Sequence, residues 1–170
     1  MIDTSTDQGR EIGFISQSEE KKKLLIVCSK GTLDMAFPPF MMATSAAALD
    51  WEVHLYFTFW GMDIVTNAKS LKISPLGNPS MGIPNILSVI PGMTTMATYM
   101  MKKKMKETGM PSIDHLIKMA KQAGVKFHAC SPTMELSGIT KDDLIPECND
   151  IIGATTFIDM AGEADVTLFI

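Results

Sequence analysis

Cysteine is scarce in this sequence: three among 170 residues, at Cys28, Cys130 and Cys148. They form no CxxC pair and no metal-type cluster, and their odd number argues against a disulfide framework. That pattern suits a reducing compartment, so a soluble cytoplasmic protein is expected. A basic excess is missing too. Fifteen Lys and Arg stand against 19 Asp and Glu, a formal net charge of -4, which excludes the concentrated positive charge that nucleic acid or anionic membrane binding needs. No uninterrupted apolar run approaches the roughly 20 residues that span a bilayer. The first ten residues are polar and acidic rather than basic then apolar, unlike a signal peptide. There is no GxxxxGK[ST] or GxGxxG motif, no metal-ligand spacing, no Ser-His-Asp order and no paired-carboxylate motif. Neither a cofactor nor a metal is expected.

What is present suits one folded domain. The chain is 46% hydrophobic and 20% charged, ordinary values for a globular protein long enough to build a core without staples. Residues 1–20 are expected to be a flexible tail and residues 21–170 a single α/β domain. After Lys21-Lys22-Lys23, "LLIVCS" has the unbroken apolar character of a strand buried on both faces. "TLDMAFPPFMMATSAAALD" follows as a helix that starts near Thr32 or Asp34. Pro38 and Pro39 are expected in or before its first turn, because proline removes a ladder donor from a helix interior. "EVHLYFTFW" is rich in β-branched and aromatic residues and should be a strand that Gly61 stops. Strand, helix and strand within about 40 residues make a βαβ unit and hence a parallel pair. "MDIVTNAKSL" reads as a short helix. Between Ile73 and Met101 a Pro/Gly/Met-rich insertion, with Pro75, Pro79, Pro84 and Pro91, breaks regular structure.

From Met93, "MTTMATYMMKKKMKETGM" holds six of the 15 methionines beside four lysines. As a helix it places Met93, Met96, Met100 and Met101 roughly on one face. Such a face packs on its own domain or an identical subunit, offers a pliable docking surface of thioethers, or lies on a membrane. "PSIDHLIKMAKQAG" repeats Ile113, Leu116, Ile117 and Ala120 at helical spacing, with Gly124 as a natural C-cap. "VKFHAC" is a strand, "TMELSGI" a short helix or turn, and Thr140 ahead of Asp142 and Asp143 a helical N-terminus. A helix over about 153–161 and the strand "VTLFI" close the chain. Alternating helices and buried strands predict a three-layer α/β/α sandwich around a mostly parallel open sheet.

In such sheets reactive groups gather beyond the carboxyl ends of the strands. Cys130 falls at such an end. If Ser131–Met134 begin a helix, its free N–H groups favour a thiolate; the alternative is a cysteine acting as a small buried hydrophobe. His128, two residues earlier, shares its strand face and as an imidazolium would lower the thiol pKa. Cys148 lies in "IPECND" and serves as a second thiol only if the fold brings that loop over Cys130. His54 and His115 have no ligand-spaced neighbour and read as structural.

The residues that carry a resemblance are "IVCSKGTLDMAFPPFMMATSAAALDWEV" before "FTFWGMDIV", then "MKKKMKETGMPSIDHLIKMAKQAGVKFHACSPTMELSGI", and "IIGATTFIDMA". Over about Lys23 to Ile170 the chain resembles the DsrE/DsrF-like sulfur-carrier family, the branch often labelled "peroxiredoxin family". The resemblance implies a homo-oligomer and a cysteine, mapped onto Cys130, that holds sulfane sulfur as a persulfide or thiosulfonate. It also implies exchange with a TusA-like carrier or another thiol protein. The expected function is therefore a sulfur carrier or sulfurtransferase. The alternatives are a non-catalytic docking module and a redox protein using a Cys130–Cys148 disulfide.

Overall fold

Leu24 to Cys28 are buried without a break, and every second one of them faces the opposite layer, as a strand covered on both faces requires. The computed structural model describes residues 21–67, 70–74, 92–148 and 150–170. The expected N-terminal tail and residues 75–91 of the Pro/Gly/Met-rich insertion lie outside them. The order is β1 (Lys23–Cys28), α1 (Leu33–Ala48), β2 (Glu52–Phe57), α2 (Met62–Asn67), α3 (Met93–Glu107), α4 (Ile113–Gln122), β3 (Lys126–Cys130), α5 (Ser131–Ser137), β4 (Asp150–Ile152), α6 (Ala154–Gly162) and β5 (Val166–Phe169). The strands line up as β4-β3-β2-β1-β5, and all four pairings are parallel.

That order explains the layers. From β1 to β4 each crossover steps the same way across the sheet, and right-handed connections then put their helices on one face. There α1, α2, α4, α5 and part of α3 enclose the main core, with Phe40, Phe57 and Phe127 at its centre. From β4 the chain returns to the far edge, so α6 crosses the opposite face. It lays Phe157 on Tyr56, ring centroids 4.5 Å apart. The result is the three-layer α/β/α sandwich.

Four details differ from the sequence expectation. Pro38 and Pro39 stand inside α1, past its first turn. The helix continues because Leu33, Ala36, Phe37, Phe40, Ala43 and Ala46 are all buried on one stripe, and that burial outweighs two missing ladder bonds. β2 ends at Phe57, before the turn Phe59–Gly61. On α3 the inward positions are Thr98 and Met105, while Met96, Tyr99 and Met100 face outward. Thr98 is held there because its hydroxyl accepts the Ile73 N–H at 3.1 Å and donates to the Thr94 carbonyl. Finally, β4 is a three-residue edge strand, too short for an apolar period to reveal.

Candidate functional site

Cys130 is the last residue of β3 and the residue before α5. Strand alternation turns it to the face that α6 covers, in a small apolar cluster with Val27, Tyr56, Ile152 and Phe157. Burial alone would raise its thiol pKa. Here burial is outweighed by hydrogen bonds to the sulfur from the Thr133, Thr58 and Tyr56 hydroxyls and the Thr133 N–H, which hold it below the ordinary thiol value. Each of these groups can donate, and a thiolate accepts. The Thr58 and Thr133 hydroxyls also bond each other, so one of the two gives its hydrogen to the other rather than to the sulfur. Tyr56 responds in kind: burial first, then its bond to Cys130 and that sulfur's charge, push its phenol up and keep it a donor.

Two elements bring these donors to the end of β3. β2 delivers Tyr56 on the face shared with Cys130 and then Thr58 just past its end. The first turn of α5 returns Thr133, three residues beyond the cysteine. The Thr58 and Thr133 hydroxyl oxygens are 3.2 Å apart, and the Phe59 N–H donates to the Thr133 hydroxyl at 3.1 Å. Phe59 takes a left-handed φ of 47°, uncommon for a bulky side chain. The turn is clamped behind it: the Thr58 N–H donates to the Cys28 carbonyl, and a Cβ on Gly61 would lie 1.9 Å from that same oxygen. Only glycine fits there. Phe59 and Trp60 in this turn are exposed at 62% and 74%, and Leu136 on α5 at 78%, so the two segments that follow β2 and β3 each present apolar side chains to solvent.

His128 lies on the same face of β3 as Cys130, and both of its ring nitrogens are engaged. Nδ1 meets Asp150 on β4, opposite which it stands in register, and Nε2 meets His54 Nδ1 at 2.9 Å. His54 reaches Glu52 Oε1 at 3.2 Å, and Glu52 is paired with Lys126. The two ring planes lie within 12° of each other with centroids 5.1 Å apart, so the imidazoles meet edge to edge through those nitrogens. Burial pushes both toward the neutral form; a charge on His128 opposes one on His54, while Asp150 works to keep His128 protonated.

Cys148 sits in the main core on the other side of the sheet. Burial, with Asp150 adding to it and Lys121 opposing it, pushes its thiol up to about 12. Cys28 is buried in that same core and its thiol is raised by burial as well. All three cysteines are free thiols. Among the described residues no cluster of three or more His, Cys, Asp or Glu is arranged to hold a metal ion, and no helix is long and apolar enough to cross a membrane. Sequence reasoning missed Tyr56, Thr58, Thr133 and the partner role of His54. For His54, Tyr56 and Thr58 the signal is the alternation 54, 56, 58 against 126, 128, 130, which acquires meaning only once β2 and β3 are known to be neighbours; Thr133 follows from α5 starting at Ser131.

An open parallel sheet with a cysteine at a strand's carboxyl end, its thiol held below the ordinary value, makes this an α/β protein of the doubly covered, mostly parallel class. Within that class the chain belongs to the DsrE/DsrF/DrsH-like family, whose model matches residues 20–169. It is 41% identical to the sulfur carrier protein DsrE2 of Allochromatium vinosum over 159 residues, which cover 89% of this chain and 99% of that one. It is 30% identical to the protein YrkE of Bacillus subtilis over 165 residues, 90% and 99% of the two chains. The crystal structure of YchN from E. coli aligns with a TM-score of 0.47 at 13% identity, covering 88% of this chain and 99% of that one.

Proposed function

We propose that the protein is a sulfur carrier in which Cys130 holds sulfane sulfur and passes it to an acceptor thiol. The observation that carries this reading is a strand-end cysteine at the start of α5 whose thiol is held below its ordinary value by Thr133, Thr58 and Tyr56 despite its burial; the 41% identity to a protein named as a sulfur carrier supports it. The Cys130 thiolate attacks the outer sulfur of a donor persulfide, a new S–S bond forms, and the donor's own sulfur leaves as a thiolate. In the second transfer an acceptor thiolate attacks the outer sulfur of the Cys130 persulfide, and Cys130 is the leaving group. Both steps conserve electrons, so no oxidant or reductant is required. The donors around the sulfur favour Cys130 as the leaving thiolate, and the surrounding Val27, Tyr56, Ile152 and Phe157 limit access by water-borne thiols.

The partner is a thiol protein of the TusA-like kind, and the exposed Phe59, Trp60 and Leu136 supply apolar contacts for it. The subunit belongs to a homo-oligomer; exposed Ile158 on α6 and Phe169 on β5 support this. The test is intact-protein mass spectrometry after polysulfide or tetrathionate treatment, comparing wild type with Cys130→Ser. We expect reducible adducts of about 32 Da per added sulfur, or about 112 Da for the thiosulfonate, confined to the wild type. Equal labelling of the mutant, or none of the wild type, sinks the carrier reading and favours a docking module. A loss of about 2 Da on mild oxidation, abolished by Cys148→Ser, would instead favour the Cys130–Cys148 redox reading.

A further inference from the structure

The sheet face beneath α6 carries a row of ionisable side chains that sulfur transfer does not use. Lys126, Glu52, His54, His128 and Asp150 are linked in that order. The hydrogens in this row are countable. Three contacts join the two imidazoles to each other and to one carboxylate at each end. Ionised carboxylate oxygens only accept, so each nitrogen facing one must carry a hydrogen. Two neutral imidazoles have one hydrogen each, and both are then used at the carboxylates. The His54 Nδ1 to His128 Nε2 contact, 2.9 Å long, is left with two lone pairs facing each other. If that contact is filled instead, one carboxylate meets a lone pair. One additional proton satisfies all three contacts, and a second would place hydrogens against each other between the rings.

We infer that the His54–His128 pair holds a single shared proton, and that the resulting positive charge is an electrostatic support for the Cys130 thiolate. His128 lies two residues before Cys130 on the same strand face, about 7 Å along the strand. At that range a buried cation favours the charged form of a thiol. The two histidines are 6% and 5% exposed, so water does not replace the missing hydrogen bond. The other titratable groups around the pair do not alter the count. Lys126 neutralises Glu52, Glu163 is tied to Lys23, and Lys121 and Lys126 oppose the charge on His128. Tyr56, in register with His128, is a neutral donor. Burial and the mutual repulsion of the rings keep the pair from taking two extra protons.

The consequence for Cys130 rests on the reading of that residue as a working thiolate; the proton count does not. The experiment is nitrogen-15 NMR of the full chain labelled at histidine, together with the pH profile of Cys130 alkylation by iodoacetamide in wild type and His54→Gln. In that variant a glutamine amide donates to His128 Nε2, so the row is satisfied without a cation while both carboxylates remain. At about pH 6.5 we expect three protonated nitrogens among the pair's four, and in His54→Gln about threefold to tenfold less Cys130 thiolate at pH 7. Two protonated nitrogens in wild type between about pH 5.5 and 7.5 would overturn the shared proton. An unchanged alkylation profile in a folded His54→Gln would overturn its link to Cys130. Failure of Cys130 to take up sulfur would strike the carrier reading and leave the NMR count untouched.

Discussion

Thr133 meets Cys130 twice, through its hydroxyl and its N–H, which makes it the residue on which the thiol depends most. Thr133→Val keeps the shape and the N–H but removes one donor to the sulfur and the acceptor of the Phe59 N–H. Hydrogen bonds to charged groups contribute about 1.5–3 kcal/mol. The thiol pKa of Cys130 should therefore rise by about one unit or more, with about tenfold less thiolate at pH 7; Thr133→Ser should restore most of it. The alkylation rate against pH measures both. Cys28 and Cys148, raised by burial, should stay unlabelled in the native protein under the same conditions. The residue that sequence alone singled out was Cys130, whose place at a strand end before a helix is visible in "VKFHACSPTMEL". The threonine donors were not visible, because threonine is common and Thr58, like Tyr56, lies on a segment about 70 residues away in sequence.

Among the elements, the turn after β2 decides the most. It stops the strand, turns Phe59 and Trp60 outward and hands Thr58 to the sulfur, and it does so by packing its backbone onto the end of β1. Gly61→Ala puts a methyl group 1.9 Å from the Cys28 carbonyl oxygen, a backbone atom that cannot step aside. We expect a loss of about 3 kcal/mol or more in chemical denaturation. The alkylation profile should also move to higher pH, because Thr58 is displaced with the turn; normal stability would show that the two loops are not interlocked. The sequence identified Gly61 as the strand's stop, whereas the close approach that demands glycine arises between two loops about 30 residues apart. Proline in α1 teaches the converse. Local propensity places Pro38 and Pro39 in or before the first turn, and tertiary burial of the α1 stripe carries the helix through them.

The whole molecule should respond to pH through the histidine pair. Burial and the repulsion between the rings oppose a second extra proton on the pair, whereas both histidines of the unfolded chain charge below about pH 6.5, so below that pH the unfolded chain binds more protons than the folded one. The pair's contribution to stability is then greatest near pH 6.5 and is lost as pH falls, by up to about 1.4 kcal/mol per pH unit for one proton's difference. Denaturant titrations between about pH 6.5 and 5 should show this slope, and His54→Gln should flatten it. A stability independent of pH over that window would mean that the pair titrates like free histidine. The carboxylates held low by their partners, Glu52 and Glu163, act in the same direction at more acidic pH.

By itself the sequence determined the alternation of helices and buried strands, the parallel βαβ start, and the candidate thiol. Apolar periodicity and the Gly and Pro stops are local properties that survive without coordinates. The tertiary structure decided the strand order, and with it every contact made across strands. β2 next to β3 brings Tyr56 and Thr58 to Cys130 and His54 to His128. β4 at the edge supplies Asp150. The return crossover to β5 lays α6 over the sulfur and leaves Cys148 on the other side of the sheet. These placements depend on which strands pair and on the right-handed sense of the crossovers, which act across tens of residues and leave no period in the chain.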